Sequence, residues 1–334
     1  MLSNKIILAG DVGGTKILLA LFELSGEQLV QLKSKRYISR DYKSLEIIIK
    51  DFLASQQAAP ASAAFGIPGP VENGIVKSTN LPWIIDEKVL SKNANISKVK
   101  IVNDLTATAF EIPYLKPDEV ILIKGGKKEN KSNNYVVVAP GTGLGQAFLI
   151  CENDKKIVIP SEGGHSDFAP TNQIETELFL YLYKKFNHIS YERIISGSGL
   201  PNVFNFLVES GYAKPRNETL ERMKTEDKAA VISELAINGS DKVCEKALDI
   251  FISVLGAHCG NLVITLLATG GVYLAGGIPI KILPKLKTKT FTDSFNNKGR
   301  LKEIVESTPI YVLNHNTAAL NGAAKIAYEL IKEK

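Results

Sequence analysis

Two short segments carry residue types suited to a polyhydroxyl ligand. Asn103-Asp104 follows the apolar run Ile101-Val102 and precedes the helix-forming Thr106-Ala-Thr-Ala-Phe110. The pair therefore falls at the C-terminal end of a strand, where open α/β sheets bind their ligands. Asp104 has two readings there. It can cap the helix, since Asp ranks among the best N-cap residues. It can also serve as a general base. A carboxyl that titrates near ~4 does not deprotonate an alcohol in advance. It can hold the hydroxyl in line and take its proton as a P–O bond forms, which suits a loose phosphoryl-transfer transition state.

The second segment, Glu162-Gly-Gly-His165, sits in the loop Pro160-Ser-Glu-Gly-Gly-His-Ser-Asp-Phe-Ala-Pro170. Two vicinal hydroxyls can donate to one carboxylate, and an imidazole donates or accepts according to its tautomer. The competing reading is a surface turn in which His165 bonds to backbone. The His-Glu-x-x-His spacing of a catalytic zinc is absent. Glu192, in Tyr191-Glu-Arg-Ile-Ile-Ser-Gly-Ser-Gly199, precedes another Gly/Ser turn, and its ordinary explanation is a Glu paired with Arg193 or a lysine.

Two glycine turns supply a different chemistry. Gly10-Asp-Val-Gly-Gly-Thr15 separates the apolar runs Ile6–Ala9 and Ile17–Phe22, and Gly141-Thr-Gly-Leu-Gly145 separates Tyr135–Ala139 from Gln146–Ile150. Glycine lacks a Cβ and tolerates positive φ, so an anion can approach the backbone N–H groups directly. Neither turn is a Walker A loop or a dinucleotide fingerprint, because both of those feed a helix. Here apolar, partly β-branched runs follow, and the chain is expected to enter strands. Plain hairpins without ligand are the alternative for either turn alone. Both turns together, with Asp11 at the mouth of the first, favour a nucleotide whose phosphates are gripped from two sides. Gly276-Gly277, after Val272-Tyr-Leu-Ala275, offers one more close backbone approach, suited to the flat face of a nucleoside. Trp83, the only tryptophan, reads as packing.

Positioning these residues takes more than one core. At 334 residues the chain exceeds the usual single-core limit, which makes two domains the expectation. Hydrophobic residues at 45% and charged residues at 22% are ordinary for a soluble globular enzyme. The net charge of +5 is mild, and the basic stretch Lys124–Lys131 lacks interleaved aromatics, so a solvated loop is expected there and nucleic acid is not. Three scattered cysteines, Cys151, Cys244 and Cys259, point to reduced thiols in a cytoplasmic protein, and no signal peptide is visible. Phe251–Ile280 contains no Asp, Glu, Lys or Arg and passes a length filter of ~18 apolar residues for a membrane span. His258, Asn261 and paired glycines interrupt it, so it reads as a buried helix over about Lys246–Leu267 followed by a buried strand at Val272–Ala275.

Leu45, Ile48, Ile49 and Phe52 fall at helical spacing, with Asp41 as the expected N-cap. Ala61–Ile67 and Lys98–Val102 read as strands. Helices are expected at Glu175–Phe186, Pro201–Ser210 and Lys228–Asn238, and from Thr317 onward at the C-terminus. The strand-turn-strand unit near Asn134 repeats the opening design. Two α/β halves, each beginning with a phosphate-gripping hairpin, imply a cleft between them.

In order along the chain, Gly10–Thr15, Thr79-Asn-Leu-Pro-Trp83, Asn103-Asp-Leu-Thr-Ala107, Gly141–Gly145, Glu162–Pro170, Glu192-Arg-Ile-Ile-Ser-Gly197 and Leu274-Ala-Gly-Gly-Ile278 resemble the bacterial-type glucokinases of the hexokinase/actin-like ATPase superfamily. The resemblance implies two α/β domains of the actin-like ATPase (ribonuclease H-like) type with an interdomain cleft. The implied division is a small domain of residues 1–112 plus 316–334 and a large one of 113–315. It implies transfer of the ATP γ-phosphoryl to the 6-hydroxyl of glucose, at the start of glycolysis. Asp104 would be the catalytic base, and Asn103, Asp104, Glu162, His165 and Glu192 would hold the sugar. Gly10, Asp11, Val12, Gly13, Gly14 and Thr15 would form one phosphate loop and Gly141, Thr142 and Gly143 the other. Asp11 would lie near Mg2+, through water, and Gly276 and Gly277 beside the adenosine. No cysteine-rich zinc loop surrounds His165, which separates this chain from the related repressor and sugar-kinase branch.

Two alternatives compete. A kinase of another hexose, such as mannose or an N-acylhexosamine, keeps the mechanism and changes the pocket. A non-catalytic sugar-sensing regulator would carry a DNA-binding segment ahead of the strand at Lys5 and would not need Asp104. No membrane partner is expected, and a homodimer is the base-rate expectation for assembly.

Overall fold

The computed structural model describes residues 5–25, 28–54, 59–77, 81–127, 132–153 and 155–332. Thr79 and Asn80 of the Thr79–Trp83 motif, the end of the basic stretch at 128–131 and both chain termini lie outside the described residues. The chain forms two compact units. One comprises Met1–Leu115, Val158–Pro160 and His315–Lys334, the other Lys116–Ile157 and Ser161–Asn314.

The first unit opens with strands β1 (Ile6–Val12), β2 (Lys16–Ser25) and β3 (Gln28–Ile38), then helix α1 (Leu45–Ala54) and β4 (Ser62–Ile67). The short strands β5 (Val71–Glu72), β6 (Ile75–Lys77) and β7 (Ile84–Asp86) form a sheet of their own, followed by α2 (Glu87–Ala94), β8 (Lys98–Asn103) and α3 (Asp104–Glu111). The main sheet has the order β3-β2-β1-β4-β8, with β1 antiparallel to β2 and parallel to β4. Alternate residues of a strand face opposite sides. Leu8 and Val12 thus join one core with Leu45, Ile48 and Phe52 of α1, whereas Ile7 and Ala9 join another with Leu320, Ala323 and Ala327 of the C-terminal helix (Ala318–Lys332). Small residues let that helix approach closely: a Cβ on Gly322 would overlap the Ala107 carbonyl of α3. Trp83 is buried in the first of these cores, as packing.

The second unit repeats the design. β9 (Val120–Lys124) precedes the hairpin of β10 (Asn134–Pro140) and β11 (Leu144–Glu152), then β12 (Lys155–Ser161), of which Val158–Pro160 are counted with the first unit. Helices α4 (Gln173–Tyr183), α5 (Leu200–Glu209), α6 (Asn217–Thr225), α7 (Lys228–Ile237) and α8 (Lys242–Leu266) follow. After them come β13 (Gly271–Leu274), α9 (Gly277–Lys281), α10 (Leu283–Leu286), α11 (Lys289–Asn296), α12 (Lys302–Glu306) and β14 (Ile310–Leu313). The sheet order is β12-β11-β10-β13-β14-β9, and β10, β13 and β14 run parallel. α8 is long and apolar enough by composition to cross a membrane. However, 78% of its most apolar window is buried within the protein, so it is the central core helix, against which α5, α7 and α11 pack.

Two local expectations are corrected. Asp41 does not cap α1: it ends a 3-10 turn, Ser39–Asp41, and the helix starts later, at Leu45. The cap of α3 is Asn103 and not Asp104, because the Asn103 side chain accepts from the backbone of Leu105 and Thr106.

Candidate active site

In the first unit the Asp11 turn closes the β1–β2 hairpin, with Val12 paired to Ile17 and Gly13 N–H donating to the Lys16 carbonyl at 2.9 Å. Thr15 is exposed, and among the described residues the N–H groups of Gly14 and Thr15 have no protein acceptor. Gly10 is different. It is buried inside β1, where a Cβ would meet Phe65 at 2.5 Å and Leu19 at 2.9 Å, so packing alone requires glycine there.

Asp11 and Asp104 share this unit, and their charges act on each other. Burial, and then the negative charge of Asp104, raises the Asp11 carboxyl to about 6. Asp104 opens α3, and its Oδ1 accepts from Leu105 N–H at 2.9 Å. Asn103 donates from Nδ2 to the Gly69 carbonyl at 3.2 Å, which ties the Pro68-Gly-Pro70 turn to the end of β8.

The raised Asp11 value has a measurable consequence. Its folded value lies above the unfolded one, so its contribution to stability is present at low pH and is lost as pH rises from about 4 through 6. The charged form costs the ligand-free protein up to about 3 kcal/mol at neutral pH. Asp11→Asn is expected to melt several degrees above the parent at pH 7.5, with the gain shrinking toward pH 4. Thermal unfolding at a series of pH values checks this, and a variant that melts lower at pH 7.5 contradicts it.

In the second unit, Glu162 precedes a 3-10 turn, Gly163–His165, and Glu192 lies in another, Tyr191–Arg193. The two turns are joined by backbone, with Tyr191 N–H donating to the Ser166 carbonyl at 3.1 Å. His165 Nε2 lies 3.9 Å from Glu192 Oε2. That same oxygen accepts the Leu144 N–H at 2.8 Å, so Glu192 reaches the second glycine turn as well. Gly141 N–H donates to the Gly143 carbonyl at 2.8 Å, and Gly197 N–H to the Gly141 carbonyl at 2.7 Å. Among the described residues, the N–H groups of Thr142 and Gly143 have no protein acceptor. A Cβ on Gly164 would overlap the Leu144 carbonyl, so the Glu162–His165 segment lies directly on the start of β11. A recess of about 250 Å3 is lined by His165, Phe186, His188, Glu192 and Arg193.

A larger cavity of about 550 Å3 adjoins the glycine turn. Its floor is apolar, from Leu200, Leu248, Phe251, Ile278 and Ile282, and polar groups of Thr142, Ser198, Asp227, Ser233 and Lys281 line it too. Gly277 lies on its wall, and the neighbouring Gly276 has a φ of 86°, a conformation open chiefly to glycine. Asp227, Ser233 and Lys281 carried no sequence signal, because they come from α7, its cap and α9 and meet only in the folded chain.

The second unit thus brings Glu162, His165 and Glu192 around the second glycine turn. The first unit brings Asp11, Asn103 and Asp104 to the C-terminal ends of β1 and β8. Both units carry such a hairpin in an α/β sheet, and the fold they form is that of the sugar kinases of the actin-like ATPase type. The glucokinase family profile matches residues 8–330. A glucokinase of Nostoc sp. is 37% identical, over 97% of this chain and 99% of its own length. The crystal structure of a glucokinase from an Antarctic psychrotroph is 28% identical, with a TM-score of 0.86 over 97% of this chain and 99% of that one. A Balamuthia mandrillaris glucokinase crystallised with glucose shares the fold, with a TM-score of 0.77 at 22% identity, over 97% and 94% of the two chains. The chain belongs to the glucokinase family, and its activity is the ATP-dependent phosphorylation of glucose.

Proposed function

We propose that each unit supplies a distinct half of the chemistry. Asp104 accepts the proton of the glucose 6-hydroxyl as that oxygen attacks the γ-phosphorus of ATP. The products are glucose 6-phosphate and ADP, in the first step of glycolysis. Asn103, Glu162, His165 and Glu192 hold the remaining hydroxyls, which fixes the attacking oxygen in line. The turns Gly10–Thr15 and Gly141–Gly145 grip the phosphates, and the exposed Thr15 and Thr142 fit that role. The 550 Å3 cavity beside Gly276-Gly277 takes the adenosine, its apolar floor suiting a purine face.

Asp11 suits Mg2+. It is a hard oxygen donor whose charge is disfavoured by burial and by Asp104, and a divalent cation relieves both. Asp11 would hold the ion through water, and the ion would supply neutralisation of phosphate charge. The chain's own residues do the rest: Asp104 moves the proton, and the Glu162–His165 and Glu192 turns orient the sugar. The cysteines Cys151, Cys244 and Cys259 are all free, which supports a cytoplasmic setting.

The observation that carries the sugar assignment is the convergence of Glu192 on both His165 and Leu144 N–H. Calorimetric titration of glucose tests it. Glu162→Gln is expected to weaken glucose binding at least about tenfold, the loss of one charge-assisted hydrogen bond. Parental affinity in that variant overturns the assignment.

A further inference from the structure

His258 sits in the middle of α8 and is 2% exposed. Burial pushes its imidazole down to about 4, so the ring is neutral and has one proton to place. Nε2 lies 3.0 Å from Gln146 Oε1. An amide oxygen only accepts, so Nε2 carries the proton and donates. Gln146, 4% exposed in β11, then donates from Nε2 to Ser161 Oγ at 3.0 Å. The same Ser161 oxygen accepts the Gly163 N–H at 3.1 Å. Gly163 is the first residue of the turn between Glu162 and His165. A Cβ on Gly163 would overlap Gln146 Nε2, so glycine is what lets the amide reach under the turn.

The other face of His258 addresses the second turn. Its ring packs against Tyr191 with centroids 4.1 Å apart, and Asn261 of α8 donates to the Tyr191 hydroxyl at 3.1 Å. Tyr191 opens the turn that carries Glu192. A buried amide and imidazole cost free energy unless they are paired. Gln146 is followed in its strand by Ala147, Phe148 and Leu149, all buried, so an apolar side chain would serve the core more simply. The polar chain makes sense through what it reaches.

We propose that His258, Gln146 and Ser161 are positioning residues for the sugar: a relay from the core that fixes the Glu162–His165 turn and so sets the affinity for glucose. This rests on the reading that Glu162 and His165 hold sugar hydroxyls. None of the three residues touches the reacting atoms, so the relay acts on glucose binding and leaves phosphoryl transfer alone.

Steady-state kinetics of the full chain separates these effects. Ser161→Ala removes the oxygen that joins Gln146 to the turn. It is expected to raise the glucose KM about tenfold, with kcat and the ATP KM within about twofold of the parent. Ser161→Thr keeps the oxygen and restores the glucose KM. His258→Phe keeps the ring against Tyr191 and removes the donor, and it is expected to shift the glucose KM in the same direction by a smaller factor. An unchanged glucose KM in Ser161→Ala overturns the relay. So does a joint rise of both KM values with a falling kcat, the pattern of general loosening, or a Thr variant as impaired as the Ala variant. The Ser161 pair is decisive, since Ser161 is only partly buried and tolerates exchange better than the core position. Glu162→Gln, measured alongside, distinguishes the two failures. If Glu162→Gln raises the glucose KM and Ser161→Ala does not, the relay falls while the sugar reading stands. An unchanged Glu162→Gln removes the sugar reading itself.

Discussion

Asp104→Asn is expected to lower kcat by about 10²–10⁴, the range that general-base catalysis contributes, while glucose still binds. The substitution is close to isosteric. Asp104 Oδ1 accepts the Leu105 N–H, and an asparagine oxygen can make the same bond, so the first turn of α3 is kept. The helix cap is untouched because it belongs to Asn103. What disappears is the ability to take a proton. Asparagine also removes a negative charge beside Asp11, the second cause of that group's raised value. Asp11 in the variant therefore titrates lower than in the parent. Steady-state turnover with calorimetric glucose titration separates the two effects. A near-parental kcat eliminates Asp104 as the base.

Glu192→Ala has a different signature, because one carboxylate serves two loops. Its Oε2 accepts the Leu144 N–H at the end of the Gly141–Leu144 turn and lies 3.9 Å from His165 Nε2. Truncation leaves a partly buried N–H unpaired, at a cost of about 1–3 kcal/mol, and removes the carboxylate that lies beside His165. The glucose and ATP KM values are both expected to rise by at least about tenfold, since loss of this one group loosens the Glu162–His165 and Gly141–Leu144 turns together, the two segments proposed to hold sugar and phosphate. Glu162→Gln, by contrast, is expected to move only glucose. Kinetics with each substrate varied in turn checks this, and an ATP KM unchanged in Glu192→Ala contradicts the shared role.

The parts of this architecture legible in the sequence are those written in contiguous residues. A glycine turn between apolar runs specifies the hairpins β1–β2 and β10–β11, because β-branched and apolar residues on both sides leave no helical periodicity. Strand β8 and helix α3 are readable from Ile101-Val102 and the Ala/Thr-rich segment that follows. The long apolar stretch resolves into α8 and β13 because Gly270-Gly271 punctuates it. Expectations fail where local chemistry has competitors. Asp41 resembles a cap, yet a 3-10 turn intervenes before α1. Asn103 and Asp104 are adjacent residues of equal capping quality, and only the backbone geometry of β8 selects the first. The sheet of β5, β6 and β7 has strands of two or three residues, too short to show a period.

The support of the site is hidden for a different reason. Gln146 and His258 stand 112 residues apart, each a lone polar residue in an apolar run. In the sequence His258 serves only to interrupt a candidate membrane span. Its partner, and through Ser161 its reach to Gly163, exist only once α8 packs beneath β11. Asp227, Ser233 and Lys281, which line the 550 Å3 cavity, are illegible for the same reason.

The most direct test of the glucose and ATP assignment crosses a panel of hexoses with a panel of phosphoryl donors in one coupled assay. Glucose with ATP is expected to give glucose 6-phosphate, with kcat/KM well above that for mannose or an N-acylhexosamine and above that for ADP or polyphosphate as donor. Equal kcat/KM across the hexoses, or ATP hydrolysis without a phosphorylated sugar, contradicts it.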